Sequence, residues 1–111
     1  MTYPTLRDTV RLDLLVPVQS NAGTPFNEDR FHSFEEFVVD LTGGVTRLGE
    51  VEGLWRNGSG LVQREFSRMY STVVPATDAP RVAAEIDRFI RDAFDQEAAF
   101  VTSTPTFATA F

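Results

Sequence analysis

The feature that most constrains the fold is a glycine-punctuated, β-rich stretch, residues 43–75, with the pattern of one long β-hairpin. Two runs rich in β-branched and aromatic residues, 45–56 and 61–74, flank the sequence Asn-Gly-Ser-Gly at residues 57–60. Asparagine and glycine tolerate the positive φ values that tight hairpin turns require. We therefore predict two antiparallel strands joined at this turn.

If the middle of that turn is the tip of the hairpin, the register follows. The predicted pairs are Trp55 with Val62, Gly53 with Arg64, Val51 with Phe66, Gly49 with Arg68, and Arg47 with Tyr70. One face then carries Trp55, Val51, Phe66, Tyr70, Thr72 and Val74. The other face mixes apolar and charged residues, so we expect helices to cover one side of the sheet and a partner or ligand the other. Gly49 and Gly53 are poor strand residues and indicate a bulge or a close approach.

Hydrophobic periodicity assigns the remaining elements. Alternating apolar residues predict a strand over residues 10–18, and apolar residues at helical spacing predict helices over residues 27–41 and after Thr77 or Asp78. Phenylalanines on these helices are predicted core: Phe31, Phe34, Phe37, Phe89 and Phe94. Residues 96–102 are β-like, and residues 107–111 could add a final strand after Pro105.

The element order is therefore β, α, β, β, α, β. This order, with a long central hairpin, predicts an α+β ferredoxin-like fold, the split βαβ sandwich, with both helices on one face of an antiparallel sheet. We expect a single domain over residues 1–111, with residues 1–8 a loosely ordered lead-in. An open sheet face that bears apolar side chains most often pairs with a second copy, so we predict a homodimer.

Composition excludes several classes of protein. The net charge of −6 argues against a dedicated nucleic-acid binder, which needs clustered lysine and arginine. There is no cysteine, so disulfides and thiolate metal sites are excluded. No apolar run approaches the ~20 residues that span a bilayer, and no signal sequence is recognisable. We expect a soluble cytoplasmic protein with no cofactor and no membrane partner.

Four segments together resemble a family of small uncharacterised bacterial proteins. They are residues 44–48 (GVTRL), 53–56 (GLWR), 64–68 (REFSR) and 94–97 (FDQE). The family's corresponding patterns look like G-x-T-x-L, G-x-W-R, R-E-x-S-K/R and F-G-Q-E. The likeness covers roughly residues 30–111, and the chain departs from it at Asp95, where the family usually has glycine, and in a shorter aliphatic run at Ser71 and Thr72. The resemblance implies the ferredoxin-like fold and a cluster of residues, with no activity attached.

That cluster comprises Trp55, Arg56, Glu65, Ser67, Arg68, Gln96 and Glu97. In a structural interpretation, Glu65 and Glu97 pair with arginines and hold the hairpin against the strand ends. In a functional interpretation, the cluster is a pocket for a small ligand, with Arg56 or Arg68 as the clamp if the ligand is an anion. Glu97 or Glu65 would then be the candidate general base.

Two functions remain open. The first is a non-enzymatic dimeric module that binds a small molecule or a protein partner. The second is a cofactor-independent enzyme, similar to the dimeric α+β barrel lineages, with Glu97 or Glu65 as acid or base. Fold analogy alone supports the second, so we rank the module first.

The single histidine, His32, is predicted to lie on the solvated face of the first helix with Glu28, Glu35 and Glu36. One histidine with two flanking glutamates is a weak set of metal ligands. We therefore predict no metal site.

Overall fold

The computed structural model describes residues 2–109, which form a four-stranded antiparallel sheet with two helices. The elements are β1 (Arg7–Pro17), α1 (Glu28–Thr42), β2 (Thr46–Arg56), β3 (Val62–Pro75), α2 (Ala79–Ala93) and β4 (Phe100–Ala108). The strand order is β2-β3-β1-β4, and every neighbouring pair is antiparallel. This is the ferredoxin-like fold that the element order predicts. β1 begins within the predicted lead-in, because Arg7 pairs with Ala108.

The first helix has the caps that its sequence indicates. The Asn27 side chain accepts a hydrogen bond from the Arg30 amide at 3.1 Å, and Glu28 and Asp29 complement the helix dipole in the first turn. Gly43, with φ of 92°, ends the helix in a left-handed conformation, and its N–H donates to the Val39 carbonyl.

The second helix ends in a tight turn that sets the position of the following loop. Pro80 occupies its first turn, and the Phe94 N–H donates to the Ile90 carbonyl at its end. Asp95 then adopts a φ of 52°, and the Gln96 N–H donates back to the Arg91 carbonyl at 2.9 Å. The chain therefore leaves α2 at once and returns along the end of the sheet.

The core lies between the two helices and one face of the sheet. Its most deeply buried side chains are Leu12, Leu14, Val16, Phe31, Phe34, Val38, Tyr70, Val74, Val82, Ile86, Ile90 and Phe94. The rings of Phe34 and Tyr70 lie 5.3 Å apart and tie α1 to β3. Phe37 and Phe89 stack at 4.4 Å at the rim of this core, where both are half-buried.

The C-terminal part of the sheet differs from the prediction. One strand, β4, runs from Phe100 through Pro105 to Ala108, where two strands were expected. Proline is tolerated there because β4 is an edge strand and needs hydrogen bonds on one side only. Phe107 and Ala108 thus belong to β4, and the end of the expected extra strand, residues 110 and 111, lies outside the described residues.

The hairpin register is displaced by one residue from the predicted one over most of its length. Trp55 pairs with Gln63, because the turn is centred on Ser59: the Asn57 N–H donates to the Leu61 carbonyl at 2.9 Å, so three residues, 58–60, lie between the closing pair. A shift of one residue moves side chains to the other face. Phe66 therefore lies on the helix side of the sheet, and Trp55 lies on the outer side.

A β-bulge restores the predicted register at the base of the hairpin. The pairing shifts between Arg47 and Gly49, so that Arg47 faces Tyr70 as expected. Gly49 takes a φ of 111°, which is a conformation that glycine favours. The bulge that the strand glycines indicated is thus present at Gly49.

Beyond the end of β1 the hairpin continues as a two-stranded extension, residues 50–66, that we call the hairpin arm. The last backbone hydrogen bond between the end of β1 and the arm runs from the Val18 N–H to the Phe66 carbonyl. The arm makes the molecule 58 Å long in its largest dimension. Almost all of its residues are exposed, because the helices cover the base of the hairpin and do not reach over the arm.

Candidate functional site

A cavity of about 440 Å³ lies where the arm leaves the sheet, on the side that the helices do not cover, and we call it the Trp55 pocket. The α2–β4 loop, residues 94–99, closes one side of it. Residues from all four strands and this loop meet there, among them Leu15, Trp55, Glu65, Ser67, Gln96 and Phe100. The pocket therefore depends on the long hairpin and on the sharp end of α2.

Strand alternation places most of the strand residues of the pocket on one face; Leu54 lies on the other face, and Ile90 belongs to α2. Trp55 lies on β2, and Glu65 and Ser67 lie two residues apart on β3. Gly53 pairs with Glu65, and a Cβ at position 53 would lie 3.8 Å from the Glu65 carbonyl oxygen. Because glycine has no side chain, the cavity extends to the backbone between Trp55 and β3. Trp55 is half-exposed, at 50% of its full accessible area, and its ring remains available to a ligand.

A second cavity of about 440 Å³ adjoins the first. Trp55, Glu65 and Gln96 line both, and the second also includes Arg64 and Glu97. Five of the seven residues of the predicted cluster thus come together around the tryptophan: Trp55, Glu65, Ser67, Gln96 and Glu97.

The polar groups of the pocket are mainly acceptors. The Gln96 amide nitrogen donates to the Phe94 carbonyl at 2.8 Å, and no hydrogen bond among the described residues uses its Oε1. Glu65 and Glu97 form no ion pair within the part of the chain that the structure describes, which is contrary to the structural interpretation of the cluster. Their carboxylates are both on exposed residues.

The two predicted anion clamps lie elsewhere. Arg56 is at the tip of the hairpin, where its guanidinium donates to the Gly60 carbonyl at 2.6 Å. Arg68 is on the helix side of β3, where it pairs with Glu28 and its guanidinium lies 3.9 Å from the centre of the Phe31 ring. The one-residue change of register accounts for the position of Arg68, because the observed register puts Ser67, and not Arg68, on the face of Trp55.

Sequence reasoning missed a buried polar network at the base of the hairpin. Glu35 is 9% exposed, and its carboxylate accepts hydrogen bonds from Arg47 Nε at 2.9 Å and from the Tyr70 hydroxyl at 2.8 Å. The prediction that Glu35 lies on the solvated face of α1 is wrong. Its spacing of four after Phe31 and three before Val38 places it on the buried side of the helix and was the available signal.

The network shifts the acidities of its members. Burial alone would raise the pKa of Glu35, but hydrogen bonds from Arg47 and Tyr70 outweigh it, and the pKa lies below its ordinary value. Burial, followed by the hydrogen bond to Glu35, raises the pKa of Tyr70 to about 12. Because Glu35 neutralises Arg47 and Glu28 neutralises Arg68, these arginines join α1 to the sheet and do not form an anion site.

His32 is exposed on α1, as predicted. Among residues 2–109 no group of three or more histidine, cysteine or acidic side chains is arranged to hold a metal ion. No helix within that range is long and apolar enough to cross a bilayer.

No protein-family model matches the chain, and no curated protein sequence matches it. Several solved structures share its fold at low sequence identity. A phage SAM lyase in complex with S-methyl-5'-thioadenosine superposes with a TM-score of 0.69 at 13% identity, covering 99% of this chain and 95% of that protein. The divalent cation tolerance protein Cut A1 from Thermus thermophilus gives 0.62 at 13% identity, covering 89% and 84%.

A Bacillus cereus protein related to NIF3 gives a TM-score of 0.64 at 15% identity. The match covers 94% of this chain but 27% of that protein, so the chain spans about a quarter of its length. At these identities the likeness establishes a fold class: the chain is a ferredoxin-like α+β protein.

Proposed function

We propose that the protein is a small-molecule-binding α+β module whose ligand lies in the Trp55 pocket. The observation that carries the proposal is the meeting of Trp55, Glu65, Ser67, Gln96 and Phe100 around one cavity on the outer side of the sheet. A volume of about 440 Å³ is within the range of ligand pockets. The phage SAM lyase, which matches over 95% of its length, holds a thionucleoside, and this supports a ligand of similar size for the fold.

The lining suits a ligand with a planar or apolar body and a hydrogen-bonding edge. Trp55 and Phe100 offer aromatic surface, and Phe100 is 60% exposed. The Glu65 carboxylate and the Gln96 amide oxygen can accept hydrogen bonds from donors on the ligand.

Trp55 is the only tryptophan of the chain, so its fluorescence reports on the pocket. We expect titration with S-methyl-5'-thioadenosine or adenosine to give a saturable change in Trp55 emission and a rise in melting temperature. Glu65→Gln should weaken binding by about tenfold, which corresponds to ~1.4 kcal/mol for a hydrogen bond to a charged group.

The matched control is Glu36→Gln. Glu36 is exposed on α1, lines neither cavity and forms no ion pair among the described residues, so its loss should leave affinity unchanged. Equal losses in both variants would contradict binding in the Trp55 pocket, and no response of the wild-type protein at millimolar nucleoside would exclude nucleosides as the ligand.

A second candidate function is acid–base catalysis on the bound molecule. It is favoured by Glu65, a carboxylate that lines the pocket and has no arginine partner among the described residues. Prolonged incubation of bound ligand, followed by NMR, distinguishes the two functions. Turnover by the wild-type protein that is lost in Glu65→Gln indicates an enzyme, whereas unchanged ligand indicates a binding module.

We further propose that the module is a homodimer joined through the helix side of the arm. The outer face of the central sheet mixes threonine and serine with charged residues such as Arg11 and Asp13, whereas the arm exposes Leu54, Val62 and Phe66 at 62%, 57% and 42%. A two-stranded hairpin is marginally stable alone in water, so such an arm needs a cover. A second copy suits it, because this face also carries two glutamates and two arginines that a twofold axis can bring together: Glu50, Glu52, Arg56 and Arg64.

A further inference from the structure

We propose that the Trp55 pocket selects small organic cations, in particular alkylated ammonium or similar groups attached to an apolar body. This inference rests on the proposed binding function and adds the charge class of the ligand. It opposes the anionic ligand that the arginines of the cluster suggest from sequence.

The first reason for a cationic ligand is the charge of the residues that line the Trp55 pocket. Among the described residues that line the Trp55 pocket, Glu65 is the only charged one. The adjoining cavity adds Glu97 and Arg64, and Arg64 already lies 3.5 Å from Glu52. An anion placed beside Trp55 would meet the Glu65 carboxylate, whereas a cation would form an ion pair with it.

The second reason is the Trp55 ring. The chain places its own guanidinium groups over phenylalanine, with Arg30 at 4.9 Å from the Phe26 ring centre and Arg68 at 3.9 Å from that of Phe31. Over the described residues no such cation lies on Trp55, although tryptophan is the strongest cation–π partner. The ring is half-exposed and lines both cavities, so it can accept a cation from outside.

The remaining polar group agrees with the same ligand class. The Gln96 amide nitrogen is occupied by the Phe94 carbonyl, and its oxygen is the part left for a ligand. Carbonyl and carboxylate oxygens stabilise ammonium groups and N–H donors. The net charge of −6 on the whole chain also favours the approach of cations over that of anions.

The test compares three probes of similar shape: choline, its uncharged isostere 3,3-dimethyl-1-butanol, and the anion 3,3-dimethylbutanoate. Binding is followed by Trp55 fluorescence and by the thermal shift of the full chain. We expect choline to bind about tenfold more tightly than the alcohol, the anion to bind least, and choline binding to weaken as sodium chloride is raised.

The variants separate charge from shape. Glu65→Gln should reduce the preference for choline over the alcohol to about threefold or less, with the alcohol's affinity unchanged, because removing the carboxylate leaves only the cation–π term. Glu36→Gln should keep the full preference, because Glu36 is exposed on α1 and lines neither cavity. Retention of that preference in Glu65→Gln would overturn the role of the carboxylate.

The outcomes distinguish this inference from the binding function itself. If the alcohol or the anion binds with the same affinity as choline, the preference for cations is refuted, and the proposal that the pocket binds a small molecule is retained. If none of the three probes binds but the nucleoside titration saturates, the cation class is again overturned and the binding module stands. If neither the probes nor the nucleosides bind, both proposals fail.

Discussion

At the scale of single residues, Asp95 shows how one backbone angle positions the pocket. Among residues 2–109 it is the only non-glycine residue with positive φ, and it directly precedes Gln96. The left-handed conformation is unfavourable for a residue with a Cβ, although aspartate tolerates it better than most. Glycine adopts that angle without strain.

The first prediction concerns Asp95. Asp95→Gly should raise the free energy of unfolding by up to ~1 kcal/mol, because relief of left-handed strain exceeds the entropy cost of glycine. Asp95→Ala should lower it. Urea denaturation of the three proteins gives both values, and a glycine variant less stable than the wild type would show that the aspartate side chain itself stabilises the turn.

The second prediction concerns Glu35, which accepts hydrogen bonds from Arg47 and Tyr70. Glu35→Ala should lower the free energy of unfolding by about 2–4 kcal/mol, because a buried hydroxyl and a guanidinium lose their acceptor. Glu36→Gln, on the exposed neighbouring residue, should change it by less than ~0.5 kcal/mol. Similar losses in both variants would contradict the network's role.

The third prediction is the pH dependence of stability. The pKa of Glu35 is lowered in the folded protein, so the stability that it contributes is present above its ordinary value of 4.5 and is lost as the pH falls through the lower folded value. The pKa of Tyr70 is raised from 10.0 to about 12, so the unfolded chain releases that proton first and stability falls as the pH rises from 10.0 to about 12.

Two variants assign these two slopes. Denaturation over the acid range should show a smaller decline in Glu35→Gln than in the wild type. Over the alkaline range, Tyr70→Phe should lack the part of the decline that comes from the phenol. Parallel profiles for wild type and variant would remove the corresponding residue from the account.

At the scale of elements, the helices and strands were predictable where local signals are strong. Asn27 and Gly43 bound α1 as the capping rules require, and the order of the elements predicts the sheet. The register was not, because it depends on whether two residues, 58 and 59, or three residues, 58–60, lie between the closing pair of the hairpin, and both fit the sequence Asn-Gly-Ser-Gly. The expectation that Pro105 separates two strands was also wrong, because proline is tolerated in an edge strand and only the whole sheet shows which strands lie at an edge.

The fourth prediction tests the bulge on β2. Gly49→Ala should lower the free energy of unfolding by about 1–3 kcal/mol, because alanine is strained at a φ of 111°. Gly53→Ala is the control on the same strand: its φ is not positive, and the new Cβ would make an ordinary contact of 3.8 Å. It should change that free energy by less than ~1 kcal/mol, and equal losses in both would show that the bulge conformation is not the cause.

The residues of the candidate site were only partly predictable from the sequence. Trp55, Glu65, Ser67, Gln96 and Glu97 meet because alternate residues of β2 and β3 share a face and the loop after α2 returns to it. Arg56 and Arg68 do not, since Arg56 ends β2 on the other face from Trp55, beside the turn, and Arg68 faces the helices. The burial of Glu35 was not predicted, because the residue was assigned to the solvated face by its charge and not by its position on the helix.

At the scale of the whole molecule, the compact core and the arm have different needs. The core buries its apolar side chains between helices and sheet, whereas the arm extends the molecule to 58 Å with apolar side chains in water. Large exposed apolar patches usually mark an interface. This contrast is the basis of the proposed dimer.

The fifth prediction tests that dimer. Light scattering at micromolar concentration should give about twice the chain mass of 12.4 kDa for the wild type, and the single-chain mass for Val62→Glu. Gln63→Glu adds the same charge one residue away on the other face of the arm and should leave the dimer intact. A wild-type protein of single-chain mass, or equal effects of both variants, would refute pairing through the helix side.

The two faces of the arm have a consequence for any assembly. Trp55 and Phe66 point in opposite directions, so contact that hides Phe66 leaves Trp55 open to solvent. A paired molecule would therefore be bivalent, with two equivalent pockets turned away from its symmetry axis. Such a molecule would hold a surface or polymer that displays many copies of its ligand far more firmly than it holds the free ligand, without any additional contact.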